Sequence, residues 1–339
     1  MNRFRHFAIV FSVFSLALLF ASERLPAQKP SSDAPLVLNH VTVVDVRTGT
    51  LQPEQAVIID GDHIAFAGPN KSAKDSRHAH VVNGRNLFVI PGLWDMHVHL
   101  VFGDWFPDAQ EISLPLLVAN GVTGVRDMGS ELGIVQGWRN EIEAGRLIGP
   151  RIRTSGPMLD GPKPRFPSSI AIATPDDARR AVADLKRSGA DFIKLQSLIP
   201  RDAVFAIADE AKKQEIAFEG HVPDSVRASE MSEAGMKSFE HLIGIFEGSS
   251  PAEDDFFKGN KTEGRFLATY NSVRAASLAA ILAKNQNVAM PHAGLGTRRE
   301  PDRHERFQQR RARELRVWVV ENQDVEAVHG RDHAGLRDG

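Results

Sequence analysis

Two histidines stand two positions apart at the end of an apolar stretch, VIPGLWDMHVHL, which spans residues 89–100. Side chains in a β-strand alternate between its two faces, so His97 and His99 are expected to point the same way, with Val98 on the opposite face. Imidazole is a common protein ligand for zinc, iron and nickel. The spacing therefore predicts a pair of metal-binding side chains on one strand.

Three further polar residues lie near the ends of later apolar segments, DFIKLQ, IAFEGHV and KSFEHLI. They are Lys194, His221 and His241. A single histidine on a strand is more often structural than metal-bound, and a single lysine can pack its aliphatic chain on apolar surface or form a Schiff base. The recurrence of such residues at the ends of several strands is the feature that favours a shared catalytic site.

The elements that must position these residues follow a regular alternation. After Pro91, apolar strand-like segments alternate with amphipathic segments, which predicts βα units and a parallel sheet. Strands are expected at GLWDMHVHL, TGVRDMG, RIRTSGPML, DFIKLQ, IAFEGHV and KSFEHLI. Helices are expected near residues 108–120, 131–144, 201–213, 224–234 and 272–285, with a further helix capped by Thr174. This order predicts an α/β fold, an incomplete (β/α)8 TIM barrel with its active site at the carboxyl end of the strands.

The chain divides into four regions. Residues 1–27 combine arginines with a short apolar run, the pattern of a secretory signal peptide, and an uncleaved membrane anchor is the alternative. Residues 36–90 alternate short apolar segments with Gly- and Asn-containing turns, which predicts a small β-sandwich domain. The barrel is expected over residues 91–286, followed by an atypical tail at 287–339. Export predicts a periplasmic or secreted protein that no longer contacts the membrane once the signal is cleaved.

Composition excludes several classes of function. The formal net charge is −2, which does not favour nucleic acid as a partner. The chain contains no cysteine, which excludes disulfides, thiolate metal sites, a cysteine nucleophile and a lipoprotein anchor. A hydrophobic fraction of 42% is typical of a globular core. These observations exclude cysteine chemistry and do not by themselves identify a substrate.

Five motifs, taken in order, resemble the amidohydrolase superfamily of metal-dependent hydrolases, in the branch that contains imidazolonepropionase-like enzymes and Xaa-Pro dipeptidases. They are PGLWDMHVHL, GVTGVRDMG, GADFIKLQ, FEGHV and SFEHL. The resemblance covers about residues 36–286. It implies a small-molecule amide or peptide substrate, with cleavage of a non-aromatic C–N bond in an amide, lactam or dipeptide through attack by a metal-bound hydroxide.

The resemblance also implies a role for each candidate residue. His97 and His99 would bind one metal ion, and His221 and His241 a second. Lys194, carbamylated by CO₂, would bridge the two divalent metal ions and act in catalysis. Partial burial would lower the pKa of Lys194 and give the neutral amine that reacts with CO₂. Zinc is the default ion for such ligands, although manganese, iron or cobalt also suits them.

One expected residue has no counterpart. The resemblance implies an aspartate on strand eight, but no Gly/His-Thr-Asp motif follows in the sequence. The last 53 residues contain ten Arg and no Lys, whereas the first 286 contain twelve Lys, and we interpret this change as a C-terminal truncation or a shifted reading frame. The tail is therefore expected to supply neither strands seven and eight nor closing strands for the sandwich. Strands one and six would then be open edges, which favours aggregation or pairing with a second copy.

Two alternative functions remain open at this stage. The first is an inactive truncated product that retains at most metal binding, and the second is a lyase that forms a Schiff base through Lys194. Two loops, at residues 156–169 and 246–264, are expected above the site. They either shape substrate specificity or are ordinary surface loops.

Several charged residues near the motifs have expected positions of their own. Asp95 shares a face with His97, so it either supports a metal ligand by hydrogen bonding or caps the strand. Glu219 and Glu240 precede the later histidines and are expected to point away from the metal, into salt bridges facing the helices. Arg126 and Asp127 are expected to form an internal pair.

Overall fold

The structure is a computed structural model that describes residues 34–72, 78–101, 108–260 and 265–290, together with the backbone of residues 317–320. The predicted signal peptide and most of the tail lie outside the described residues. The strands are β1 (Leu36–Asp45), β2 (Thr50–Asp60), β3 (His63–Pro69), β4 (His80–Asn83), β5 (Phe88–Pro91), β6 (Leu93–Val98), β7 (Val122–Asp127), β8 (Arg151–Thr154), β9 (Leu159–Asp160), β10 (Ile170–Ala171), β11 (Ile193–Leu195), β12 (Phe218–Gly220), β13 (Ser238–Glu240), β14 (Val288–Met290) and β15 (Val317–Val320).

The α-helices of the described residues are α1 (Leu114–Ala119), α2 (Leu132–Glu143), α3 (Pro175–Arg187), α4 (Arg201–Lys213), α5 (Ala228–Glu233), α6 (Ile245–Gly248), α7 (Ala252–Phe256), α8 (Arg265–Ala268) and α9 (Ser272–Lys284). A π-helical turn, Ala109–Ser113, runs into α1. None of the helices in these ranges combines the length and apolar content that a membrane crossing needs.

The N-terminal strands form one mixed sheet. Strands β1, β2 and β3 pair antiparallel in chain order, while β4 and β5 pair parallel with different halves of β1. Alternate apolar residues pack under this sheet, among them Leu38, Val41, Val57 and Val89. Because the described strands belong to a single sheet, the β-sandwich remains a prediction.

Strand β15 corrects one expectation about the tail. Val317–Val320 pairs parallel with Phe88–Pro91, so the tail does add a strand to the N-terminal sheet. The apolar, β-branched segment VWVV has the composition that favours a strand, but four residues are too short a run to predict one from the sequence. The added strand lies beside β5, which leads directly into the strand that carries His97.

Two parallel sheets follow. Strands β6, β7 and β8 form one of them, and the other has the order β10-β9-β11-β12-β13-β14. The N–H of Asp191 donates to the carbonyl of Thr154 over 2.8 Å and links the two. The predicted α/β class with parallel sheets is therefore confirmed. Strand β14 pairs with β13, so a seventh parallel strand begins within the region expected to lack one.

Helices pack on the outer face of the second parallel sheet. Apolar side chains of α3 and α4 form one core with those of the strands, and Ile193, Phe218 and Phe239 all belong to it. This places every second strand residue against the helices and leaves the alternate residues for the opposite face. Lys194, Glu219 and Glu240 are those alternate residues.

The helix predictions are largely confirmed. Thr174 caps α3 through a capping box with Asp177, as its position before Pro175 predicts. Helix α5 begins at Ala228 rather than near residue 224. The segment 246–264, expected as a loop, contains most of α6 and all of α7, so that prediction was wrong in part. Its acidic residues are good helix formers when they lie in a first turn, where they complement the helix dipole.

Candidate metal centre

Four histidine rings lie next to one another where the parallel strands end. The ring centroids of His97 and His99 are 5.4 Å apart, and those of His97 and His241 are 4.5 Å apart. The rings of His221 and His241 are 5.2 Å apart. The rings therefore join the end of β6 in the first parallel sheet to the ends of β12 and β13 in the second.

Lys194 completes the cluster from β11, the strand that pairs with β12. It lies in β11, is 1% exposed, and its Nζ forms no hydrogen bond within the described residues. Burial lowers the pKa of Lys194 to about 7, with a further lowering by Arg126 that Glu240 and Glu219 oppose. Its charge in turn contributes to lowering the pKa of His97, His99 and His221, so it lies close to these rings.

A glycine makes room for this lysine. Gly220 of β12 has φ 128°, and a Cβ atom there would lie 2.4 Å from the carbonyl oxygen of Leu195 and 2.8 Å from Cδ of Lys194. Backbone and side chain of β11 would both have to move to accept any other residue. The glycine of the FEGHV motif is thus explained by the close approach of Lys194.

Three of the four histidines have a pKa that lies below the usual value for an imidazole. Burial lowers the pKa of His99 to about 4 and that of His221 to about 2, and it also lowers the pKa of His97. A neutral imidazole has a lone pair on one ring nitrogen, and this is the form that binds metal ions. The low pKa values therefore suit these rings to metal binding.

The contacts of Nδ1 decide which nitrogen carries that lone pair. In His97 it lies 2.6 Å from a carboxylate oxygen of Glu240, and in His99 it lies 3.1 Å from the carbonyl oxygen of Gly129. Both partners are acceptors, since hydrogen bonds and the charge of Arg126 outweigh burial and lower the pKa of Glu240 to about 2. Nδ1 therefore holds the proton and Nε2 holds the lone pair in both rings.

His221 has a polar neighbour as well. Its Nδ1 lies 3.1 Å from Oγ of Ser197, which follows β11. A hydroxyl can donate or accept, so this contact orients the ring without selecting a tautomer. Ser197 was not singled out from the sequence, because a serine just after a strand is too common to indicate a site.

A buried ionic network lies beside the histidines and corrects two expectations. Arg126 donates to Glu219 and, over 2.7 Å, to Glu240, so it does not pair with Asp127 as expected. Both glutamates lie on the face of the sheet that also presents Lys194, and not toward the helices. For Glu219 the alternation of side chains already requires this, because it stands two positions before His221.

Glu240 faces the cluster together with the next residue because the backbone changes conformation there. His241 has φ 59° and Leu242 has φ 61°, both in the left-handed region that residues with a Cβ rarely adopt. Alternation therefore stops at Glu240, and adjacent side chains reach the same site. Strained backbone of this kind is concentrated at functional sites.

Two aspartates act on the backbone of the cluster. The carboxylate of Asp95 accepts the N–H of His97 over 3.0 Å, which favours the local, strand-capping alternative over direct support of a ring. Asp127 is completely buried and accepts the N–H of Leu100 over 3.0 Å, next to His99. Both aspartates thus fix the path of the chain on either side of the His-x-His pair.

The donor types in the cluster suit a divalent ion, since imidazole nitrogen is a common zinc ligand. Among the described residues, no group of three or more His, Cys, Asp and Glu is arranged to hold a metal ion by itself. Beside the rings, the buried Lys194 nitrogen has no hydrogen bond among these residues, and the carbamate that the resemblance implies there would offer oxygen ligands. All five residues singled out from the sequence come together, and their binding of metal remains a prediction.

Comparisons with known proteins give a consistent result. No family model matches the chain. An imidazolonepropionase of Roseobacter denitrificans is 33% identical over 124 residues, which are 36% of this chain and 30% of that protein. The chain thus matches less than a third of the length of that relative.

Solved structures share the fold. A candidate prolidase from Bifidobacterium longum superimposes with a TM-score of 0.55 at 20% identity, covering 86% of this chain and 74% of that one. A Xaa-Pro dipeptidase with methionine bound in its active site gives 0.50 at 18% identity, covering 76% and 79%. These structures show that the fold is shared, and the sequence match to the imidazolonepropionase agrees with the resemblance that the motifs indicate.

Proposed function

We propose that this chain, a member of the amidohydrolase superfamily by motif and fold, is a metal-dependent hydrolase of a C–N bond in an amide, lactam or dipeptide. One observation carries the proposal. The rings of His97, His99, His221 and His241 adjoin a buried amine, Lys194, that has no hydrogen bond within the described residues. Among the similar proteins, the Xaa-Pro dipeptidase is named for the cleavage of dipeptides, and the imidazolonepropionase is named for an imidazolone.

The residues of the cluster divide into two sets of ligands. We assign His97 and His99 to one divalent ion and His221 and His241 to a second, with zinc as the expected ion. Two such ions, when bound, polarise the carbonyl of the scissile bond and lower the pKa of water. The protein supplies neutral nitrogen donors, fixed in orientation by the contacts of Nδ1 in three of the four rings.

Lys194 is proposed to be carbamylated. Its pKa of about 7 leaves a large fraction of neutral amine at physiological pH. The amine nitrogen bonds to the carbon of CO₂ and loses one proton to solvent, which gives a carbamate with one negative charge and two oxygens. An anion between two cations is stabilised there, whereas an ammonium group would be repelled. The same buried position that disfavours the ammonium form thus favours the carbamate.

Several finer features belong to the same proposal. The two parallel sheets are proposed to be part of a (β/α)8 barrel over residues 91–286, and residues 36–90 a separate small domain. Residues 1–27 are proposed to direct export to the periplasm or beyond. Strand six is not an open edge, since β14 pairs with β13, but pairing of two copies through another sheet edge is a further expectation.

Metal analysis tests the proposal directly. The protein is expressed with its N-terminal segment replaced by a start codon, incubated with excess Zn²⁺ and bicarbonate, desalted, and measured by inductively coupled plasma mass spectrometry. Two ions per chain are expected, with fewer in the H97Q and H241Q variants. H63Q is the matched control, because His63 is an exposed residue of the N-terminal sheet. Absence of bound metal in the unsubstituted protein would contradict the proposal.

Turnover and carbamylation are measured on the same samples. Hydrolysis of Xaa-Pro dipeptides and of cyclic amides is followed by chromatography. A carbon-13 carbamate resonance is expected after incubation with labelled bicarbonate, and it should be missing in K194M. Two ions without turnover of any amide would support the alternative of a metal-binding but inactive chain. Borohydride trapping of a carbonyl compound on Lys194 would support the Schiff-base lyase instead.

A further inference from the structure

The interior ionic network contains a carboxylate that contacts both a guanidinium group and a histidine ring. Glu240 is completely buried, and both of its oxygens are engaged. Oε1 accepts from Arg126, over 2.7 Å, and from Ser238. Oε2 lies 2.6 Å from Nδ1 of His97. The carboxylate thus stands between a guanidinium group and a ring assigned to the metal centre.

Arg126 holds this carboxylate by bonding to several strands at once. Its Nε donates to the carbonyl of Met96 over 2.7 Å, directly before His97. Its remaining nitrogens donate to Glu219 of β12 and to Ser238 and Glu240 of β13. A guanidinium group can only donate hydrogen bonds, so each partner must present an acceptor to it.

We propose that Glu240 is a positioning residue of the metal centre. It keeps the proton of His97 on Nδ1, so that the lone pair that would bind a metal ion lies on Nε2, and Arg126 fixes Glu240 for this purpose. The part of this inference that concerns metal rests on the proposed function. The part that concerns the tautomer of His97 does not, because it describes the metal-free protein.

The chemistry of an amide makes the inference testable. Glu240→Gln preserves the shape of the side chain but has one acceptor and one donor end. Since Arg126 offers only donors, the amide oxygen turns toward Arg126 and the amino group faces Nδ1 of His97. That nitrogen must then accept a hydrogen bond, so the proton moves to Nε2 and the lone pair is lost from the side of the metal.

Glu219→Gln is the matched control. It also replaces a buried carboxylate bonded to Arg126, but the contact of Glu219 is with the guanidinium and not with the ring of His97. The two variants therefore remove the same charge from the same network. They differ in whether the group that faces Nδ1 is changed.

The experiment uses the metal-free protein labelled with nitrogen-15 in histidine. Long-range nitrogen–proton correlation spectra report the tautomer, and H97Q identifies the resonances of His97. We expect the Nδ1–H form in the unsubstituted protein and in E219Q, and the Nε2–H form in E240Q. An Nε2–H form in the unsubstituted protein, or an unchanged tautomer in E240Q, would overturn the inference.

Zinc affinity, measured by competition with a chromophoric chelator, gives the second readout. We expect binding to weaken by roughly 10–100-fold in E240Q, as for other carboxylates that support a metal-bound histidine, and by less in E219Q. Equal weakening in both variants would mean that the network acts only through stability, and would overturn the inference. If the unsubstituted protein binds no zinc, the proposed function fails, while the spectra still decide the tautomer. If E240Q does not fold, the spectrum of the unsubstituted protein decides it.

Discussion

The backbone N–H of Leu100 donates to the carboxylate of Asp127 over 3.0 Å and links the chain just after β6 to the end of β7. The same carboxylate accepts the hydroxyl groups of Ser130 and Thr154, each over 2.6 Å. Because Leu100 follows His99, this buried carboxylate determines where the His-x-His segment leaves its strand. Its removal should affect both the stability of the fold and the geometry of the cluster.

We expect D127A to lower the free energy of unfolding by roughly 2–4 kcal/mol, because buried donors lose their acceptor. D127N should cost less, since its amide oxygen still accepts from Leu100 and its amino group can donate to the hydroxyl of Thr154. Urea denaturation of the two variants measures the difference. Equal losses in both would show that the hydrogen bonds to this side chain do not determine its contribution.

The same site predicts a dependence on pH. Burial raises the pKa of Asp127 above 3.8, although hydrogen bonds from Ser130, Thr154 and Leu100 oppose the shift. The folded state then binds the proton more tightly than the unfolded state, so the associated stability is complete below pH 3.8 and lost as the pH rises through the raised pKa. The stability of D127N should decline less over this interval, as urea titrations at successive pH values would reveal.

Replacement of the buried lysine should stabilise the metal-free protein. Lys194→Met fills a similar volume without a polar atom, whereas Lys194 buries an amine that has no hydrogen bond within the described residues. We expect a gain of roughly 1–4 kcal/mol at neutral pH together with loss of metal binding. Lys186→Met, at an exposed helix position, is the control and should change stability by less than about 0.5 kcal/mol. A less stable K194M protein would contradict the prediction.

Two glycine substitutions should have opposite effects. Gly220→Ala places a Cβ atom 2.4 Å from the carbonyl oxygen of Leu195 at φ 128°, so we expect a loss of at least about 2 kcal/mol. Gly137→Ala lies within α2 with no atom within 4 Å of its Cβ, and should gain about 0.5–1 kcal/mol from helix propensity. Thermal unfolding of both variants shows whether G220A lowers the stability and G137A raises it. A neutral G220A would mean that Lys194 does not require this close approach.

The capping box of α3 provides a prediction away from the site. Thr174 accepts the N–H of Asp177 over 3.2 Å, and the carboxylate of Asp177 accepts the N–H of Thr174 over 2.9 Å. Thr174→Ala removes the first of these bonds and should cost about 1 kcal/mol. Thr174→Ser keeps the hydroxyl and should retain most of the stability. Chemical denaturation distinguishes the two, and equal losses would argue against the cap.

The parts of the site that depend on the alternation of side chains along a strand could be predicted from the sequence. His97 and His99 share a face because they are two positions apart, and the strands and most helices after Pro91 follow from the apolar periodicity. The approach of His221 and His241 to His97 could be predicted only by assuming that the parallel strands lie side by side in sequence order, with their carboxyl ends together. The prediction that Lys194 belongs to the site depended on the same assumption, since nothing in the neighbouring sequence distinguishes it from other lysines.

The supporting residues could not be predicted in the same way. Arg126 contacts strands that follow it by about a hundred residues, and no local pattern records such a contact. Glu240 was placed on the wrong face because alternation is interrupted by the left-handed backbone of His241, which has φ 59°. Strand β15 escaped notice because an isolated run of four apolar residues is a weak signal.

The reach of Arg126 also bears on when the centre can form. Its acceptors on β12 and β13 are 93, 112 and 114 positions further along the chain. Contacts with such large sequence separations form late, because the intervening segment must first become ordered. During synthesis, His97 and His99 therefore emerge long before the carboxylate that orients one of them. The centre matures only when the strand ending at Glu240 has docked, so metal loading is expected to follow the folding of β13 rather than to nucleate it.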